Sequence, residues 1–391
     1  MIPGRAQPLV AAADQDDHWV GTWGASPQLT EPRNLPPPPG LTSNTLRQVV
    51  QVSIGGEKSR VRFSNAFGNG PVTMTAAHIA LSAGASAIKM ETDNALTFGG
   101  KTSVTIPAGE MVISDPLDFD LAPLSDVAVT IRFDEVPNKV TGHPGSRATS
   151  YLQADASVSA GDLSTSAKTL HWYILTGIDV EAGSSSAAIV TLGDSITDGH
   201  GAENDKNNRW PDDLSRRLQA DKNLANIAVL NEGIGGNGVV RGGLGPTALS
   251  RFDRDVLEQN SVRWLIVLEG VNDIGGSRGT NSPVAQNLIE AYQKFIDQAH
   301  AKNIRIYGGT ITPFGGSFYD RPGHETARQT VNNWIRTNGK FDAVIDFDEA
   351  VRDPQNPTHL LPAFDSNDHL HPSVKGYQKM ADAIDLKLFE N

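Results

Sequence analysis

A serine, an imidazole and a carboxylate are the parts of a nucleophilic acyl transfer, and four short segments of this chain supply them. The segments are Gly193-Asp194-Ser195-Ile196-Thr197, Asn231-Glu232-Gly233-Ile234-Gly235-Gly236-Asn237, Glu269-Gly270-Val271-Asn272-Asp273 and Asp365-Ser366-Asn367-Asp368-His369-Leu370-His371-Pro372. A serine hydroxyl becomes a nucleophile only when a neighbouring base takes its proton, and imidazole suits that task at neutral pH. The base needs a carboxylate to fix its tautomer and steady the imidazolium. The tetrahedral oxyanion needs donors already in place, such as the N–H groups of a glycine-rich loop and a side-chain amide. Ser195, His371, Asp368, Gly236 and Asn272 can fill these roles in that order. Against this, Gly-Asp-Ser is also an ordinary turn after a strand, because all three residues favour turns.

The elements around these segments are those of an open α/β sheet. Ala187 to Leu192 is a short apolar run suited to a strand buried on both faces, and it delivers Ser195 to the sheet's C-terminal edge. Ile227 to Leu230, Trp264 to Leu268, Ile304 to Tyr307 and Ala343 to Ile345 read as further strands. Between them lie helical stretches: one opening near Asn208-Arg209-Trp210-Pro211, one over Pro283 to Lys302 with Leu288, Tyr292, Phe295, Ile296 and Ala299 on one stripe, and one around Thr326 to Thr337. A last helix from Ser373 aligns Tyr377, Met380, Ile384 and Leu388. Strands alternating with helices predict a mostly parallel, doubly wound sheet covered on both faces, so loops leaving its C-terminal ends converge on one rim.

The first half follows a different grammar. Val50, Val52 and Ile54 alternate with polar residues, as do Val61 and Phe63, then Val127, Val129, Ile131 and Phe133, then Leu170, Trp172 and Ile174. Short period-two runs separated by Gly/Pro turns predict an all-β sandwich or jelly-roll-like domain. Pro36 to Pro39 reads as an extended polyproline segment. The resulting organisation is a disordered leader remnant over 1–18, an all-β domain over 19–180, a Gly/Ser-rich linker over 181–186 and a catalytic domain over 187–391. Val10-Ala11-Ala12-Ala13-Asp14 resembles the small-residue end of a secretory signal, so a secreted or periplasmic protein is expected; a disordered cytosolic N-terminus is the competing reading. The net charge of −12 argues against a nucleic-acid partner, no apolar run approaches the roughly 20 residues of a membrane span, and the absence of cysteine removes disulfides and thiolate chemistry. Composition does not fix an oligomeric state.

The four segments resemble four sequence blocks of the SGNH (GDSL-type) hydrolase superfamily. Gly193-Asp194-Ser195-Ile196-Thr197-Asp198-Gly199 matches the first, Asn231 followed five positions later by Gly236 the second, Gly270-Val271-Asn272-Asp273 the third, and Asp368-His369-Leu370-His371 the fifth, in family order over about half the chain. The resemblance implies a three-layer αβα, flavodoxin-like fold, a Ser195-His371-Asp368 triad, and an oxyanion hole of the Ser195 and Gly236 amides with the Asn272 side chain. The all-β half in front is similar to that of extracellular acylhydrolases and arylesterase-like proteins. Gly235 competes with Gly236 as donor, and the Asp-x-x-His spacing selects His371 over His369. An α/β-hydrolase elbow needs glycine two residues after the serine, where this chain has Thr197.

Other readings apply to the same residues. His369 and His371 with Asp365 and Asp368 form a possible metal set, but one that leaves the serine and the oxyanion donors unexplained, so no metal and no cofactor is expected. Asp194, Asp198 and Asp273 suit loop-fixing acceptors, and Asn231 and Arg209 are candidates for supporting the loops or lining the pocket. His143, His171 and His200 default to structural or surface positions and Trp172 and Trp264 to the core, while the glycine-rich Val239 to Gly245 stretch lacks a phosphate loop's ending. The expected activity is hydrolysis of carboxylic esters (the EC 3.1.1 class of esterases and lipases) on a small-molecule or carbohydrate ester. Two alternatives stand beside it: a carbohydrate O-acetyl esterase, and a glycan-binding protein on an inactive hydrolase scaffold.

Overall fold

The computed structural model describes residues 18–279, 283–337 and 339–390, so residues 1–17 of the expected leader lie outside it. The chain divides into two compact units, Met1–Ser184 and Ser185–Asn391.

The first unit is built of antiparallel sheets. In the largest, the strand Asn44–Gln51 lies between Ser150–Ala154 and Asp126–Phe133, and the latter also pairs with the long strand Val72–Gly84. A second sheet runs Trp19–Gly24, Leu175–Glu181, Gly56–Ser64, Leu117–Leu121, with Met111–Ile113 also on Gly56–Ser64. The alternating residues Val50, Val61, Phe63, Val127, Val129, Ile131 and Phe133 are buried. Three details differ from the sequence reading, the first being that the strand carrying Val50 ends at Gln51, so Val52 and Ile54 are buried beyond it. The run 170–174 is not one strand: only Trp172–Tyr173 pairs, Leu170 is exposed, and Ile174 takes a left-handed φ of 64° that breaks the alternation. The proline run turns instead of extending, because the Gly40 N–H donates to Pro37 O at 2.8 Å.

The second unit carries a five-stranded sheet. Its strands are β1 (Ala187–Gly193), β2 (Ile227–Gly233), β3 (Val262–Leu268), β4 (Arg305–Gly309) and β5 (Ala343–Ile345), in spatial order β2-β1-β3-β4-β5 with every pairing parallel. β1 lies inside the sheet, between β2 and β3, and is buried along its whole length, which is why it reads as an unbroken apolar run. The helices are α1 (Ser195–Asp198), α2 (Trp210–Ala220), α3 (Ala248–Phe252), α4 (Val271–Gly276), α5 (Val284–Ala301), α6 (His324–Thr337), α7 (Phe347–Val351) and α8 (Val374–Asp382). Seven of them pack in two sets, α2 with α8 and α7, and α5 with α6, α4 and α3, while α1 packs on β1 and β2. In the order 2-1-3-4-5 the connections reverse direction between β1 and β3, and the crevice at that switch point is where such sheets place ligands. α8 ends at Asp382, before the expected stripe does. Asp385 then caps a separate turn through the Lys387 N–H, which shifts the register so that Phe389 is buried where the helical period names Leu388.

Candidate active site

β1 ends on a glycine because no side chain fits there. A Cβ on Gly193 would stand 2.1 Å from Thr197 Oγ1 and 2.6 Å from Leu268 O. The chain then turns at once into α1, whose cap is Asp194: its Oδ1 accepts the Ile196 N–H at 2.9 Å. Burial pushes the Asp194 carboxyl up to about 7, with the charges of Asp273 and Asp198 acting the same way and the Ile196 N–H and Arg251 opposing. Ser195 is the first residue of α1 and is nearly buried.

Ser195 Oγ lies 2.8 Å from His371 Nε2, and His371 Nδ1 lies 2.6 Å from Asp368 Oδ2. A carboxylate only accepts, so the proton of the inner bond sits on Nδ1, and Nε2 presents a lone pair to the serine hydroxyl. Asp368 Oδ1 accepts the N–H groups of His371 at 2.8 Å and Leu370 at 3.0 Å, and the Ser366 hydroxyl at 3.2 Å. Burial alone would raise the Asp368 carboxyl; the hydrogen bonds and charge of His371, with the Leu370 N–H, outweigh it and hold the group well below the usual carboxylate range. His369, in contrast, turns outward and donates Nδ1–H to Asp365 Oδ2 at 2.6 Å. The metal set of both histidines with both aspartates is therefore not assembled. Among the described residues the metal-capable grouping is His200, Asp368 and His371, two of which belong to the Ser195 chain.

Three N–H groups of the first three segments lack an acceptor among the described residues. The backbone N–H groups of Ser195 and Gly236 have none, and Asn272 Nδ2 is buried without a partner. The Gly235 N–H is already committed to Asp198 Oδ2 at 2.9 Å, which separates the two competing glycines. A cavity of about 430 Å³ opens beside Asn272, with Val240, Arg241, Ser277 and Arg278 among its walls. Ser195 and His371 are not among the residues that line it.

The remaining candidates hold the loops. Asn231 donates Nδ2–H to Thr197 O at 2.8 Å and accepts the Gly233 N–H, fastening the second segment to the first. Asp273 accepts the N–H groups of Val239 and Val240 at 2.7 and 3.1 Å, joining the third segment to the second. Arg209 is buried, bound to Asp212 at 2.7 Å at the start of α2, so its guanidinium serves the helix end and does not line the cavity. His143 donates to Ser26 O and His171 to Pro144 O, and Trp172 and Trp264 are core residues.

Three residues that spacing did not single out belong to this neighbourhood. Arg251 is fully buried and donates to Gly193 O at 3.0 Å, Glu232 O at 2.7 Å and Asn237 Oδ1 at 3.1 Å, tying the ends of β1 and β2 together. His200 lies with its ring 4.1 Å from that of His371. Tyr319 donates its hydroxyl to Asn272 Oδ1 at 2.9 Å. None of the three lies in the four segments, and the partner that explains each lies on another part of the chain.

Residues 191–379 match the GDSL-like lipase/acylhydrolase family. No curated protein matches the chain. Among solved structures, a lipolytic protein of the G-D-S-L family from Desulfitobacterium hafniense is 21% identical, covering 51% of this chain and 97% of its own, with a TM-score of 0.40. A GDSL-like lipase from Bacteroides thetaiotaomicron is 17% identical over 54% and 91%, TM-score 0.41. An acetylxylan esterase from Geobacillus stearothermophilus is 22% identical over 53% and 95%, TM-score 0.40. Through residues 191–379, carrying the serine, glycine, asparagine and histidine segments described above, the chain belongs to the SGNH (GDSL-type) hydrolase superfamily of lipases and acylhydrolases.

Proposed function

We propose that this hydrolase is a serine esterase of the EC 3.1.1 class, cleaving carboxylic esters through an acyl-enzyme on Ser195. The observation that carries the proposal is the chain Ser195 Oγ, His371 Nε2, His371 Nδ1, Asp368 Oδ2, with links of 2.8 and 2.6 Å. As Oγ attacks the ester carbonyl, its proton passes to Nε2 and the C–Oγ bond forms. The oxyanion takes the N–H groups of Ser195, Gly236 and Asn272, which have no other acceptor among the described residues. The intermediate collapses by expelling the alcohol, which leaves with the proton from Nε2. Water then repeats the sequence on the acyl-enzyme and releases the carboxylic acid.

Ser195→Ala is expected to lower ester turnover by roughly 10⁴-fold or more, as loss of a triad nucleophile does. Retention of near wild-type turnover defeats the assignment. The glycan-binding alternative is separated by an organophosphonate: covalent labelling at Ser195 supports the esterase, and glycan binding without labelling supports the binder. A panel crossing acyl length with aryl, glyceryl and acetylated-sugar alcohols tests the O-acetyl esterase reading against broader specificity.

A further inference from the structure

Asn272 sits in α4 with its side-chain amide split between two fates: Oδ1 accepts the Tyr319 hydroxyl, while Nδ2 is buried and has no acceptor. A primary amide can turn over and exchange those two atoms. Turned over, it would offer the developing oxyanion a second oxygen instead of an N–H, and repulsion would replace stabilisation. Something must hold the amide the right way round.

The sequence of α4 makes room for that holder. Gly275 lies three residues after Asn272, on the same face of the helix. A Cβ on Gly275 would stand 2.3 Å from atoms of the Tyr319 ring, so the ring rests directly on the backbone there and its hydroxyl reaches back to Asn272. The Tyr319 backbone is fixed to the same helix end. His324 donates Nδ1–H to Tyr319 O at 2.7 Å, and His324 Nε2 lies 3.2 Å from the hydroxyl of Ser277, the residue that follows α4. The Tyr319 N–H donates to Ser317 Oγ at 3.1 Å. Burial raises the phenol above its ordinary value, so the hydroxyl keeps the proton that it donates.

We propose that Tyr319 is a positioning residue of the esterase reaction: its hydroxyl fixes the Asn272 carboxamide so that Nδ2–H faces the oxyanion. The proposal rests on the esterase reading above and adds a residue outside the four family segments. Tyr319 does not touch the substrate; it acts through Asn272.

The test is a double-mutant cycle of Tyr319→Phe and Asn272→Ala with an activated aryl ester, each variant checked for folding by circular dichroism and thermal melting. Tyr319→Phe is expected to lower kcat roughly tenfold with KM unchanged, the worth of one orienting hydrogen bond. In the Asn272→Ala background the same change is expected to cost nothing further. A kcat at the wild-type level in Tyr319→Phe, or an equal loss in both backgrounds, overturns the proposal. Should Tyr319→Phe fail to fold, Gly275→Ala, which displaces the ring, is read in the same cycle: a kcat loss that vanishes without the Asn272 amide supports the role, and any other result overturns it. A wild-type protein that hydrolyses no ester defeats the esterase reading and this proposal together, whereas an active wild type with a fully active Tyr319→Phe defeats only the role of Tyr319.

Discussion

Within residues 365–371, Asp365 pairs with His369 and Asp368 pairs with His371, and in both pairs the ring Nδ1 lies 2.6 Å from a carboxylate oxygen. In both, the carboxylate also accepts two backbone N–H groups: those of Asn367 and His369 for Asp365, those of Leu370 and His371 for Asp368. The difference is where the other ring nitrogen points. The His371 side chain is 10% exposed with Nε2 against Ser195 Oγ, whereas that of His369 is 53% exposed. An oriented, carboxylate-backed imidazole is thus a local product of loop chemistry, and a general base requires in addition that the loop aim it at a nucleophile.

The sharpest way to break this comparison is to remove each ring in turn. His371→Gln is expected to lower kcat/KM for an aryl ester by roughly 10⁴-fold or more, and His369→Gln by less than about threefold. Steady-state kinetics on both purified variants decides it, and comparable losses in the two would mean that the outer pair takes part in the chemistry.

Next in size is Asp368→Asn, expected to cost roughly 10³- to 10⁴-fold in kcat, because an amide donor at that position favours the wrong tautomer of His371. The same carboxyl sets one term in the pH dependence of stability. Its folded value is held below the ordinary 3.8, so it stabilises the fold above that value, and the contribution is lost as pH falls through the folded value. Asp368→Asn should therefore flatten the stability profile below about pH 4, measured by thermal melting across acid pH.

How much of this was legible in the sequence depended on whether the cause was local. β1 is buried on both faces and reads as an apolar run, and the four polar segments sit where the chain leaves or approaches a sheet edge; both facts are written within a few residues. The stripe of α5 was equally plain, with Leu288, Tyr292, Phe295, Ile296 and Ala299 all buried. What sequence reading missed are residues whose partners lie far along the chain. Arg251 carries no local sign of its role, because Gly193 O, which accepts from it, lies 58 positions away. Arg47 sits in a strand of the first unit and is fully buried, donating to Thr130 Oγ1, Ser86 O and Ala160 O. Tyr319 lies outside every recognisable segment, and only the close approach permitted by Gly275 connects it to Asn272. The failed strand at 170–174 and the early end of α8 are cases where one local choice, a left-handed Ile174 or an Asp385 cap, overrode an otherwise regular period.

The smallest expected effect concerns the outer pair's own work. Asn367 and His369 both hold left-handed backbone conformations, φ 75° and 61°, which non-glycine residues adopt at a cost. Asp365 Oδ1 accepts the N–H of each, at 2.8 and 3.0 Å, so this carboxylate binds the loop in the shape that carries Asp368 and His371 to Ser195. Asp365→Ala removes both bonds and the hydrogen bond from His369 Nδ1 but deletes no atom of the serine chain. It is expected to lower stability by about 1 to 2 kcal/mol, as loss of a carboxylate turn clamp does, and to lower kcat by severalfold through looser placement of His371. Asp365→Asn keeps an acceptor for the two N–H groups and should recover most of both losses, whereas His369→Gln, which spares the clamp, should stay close to wild type in stability and kcat. Thermal melts and kcat for the three variants separate the clamp from the ring: if His369→Gln destabilises as much as Asp365→Ala, the hydrogen bond from His369 and not the backbone clamp holds the loop.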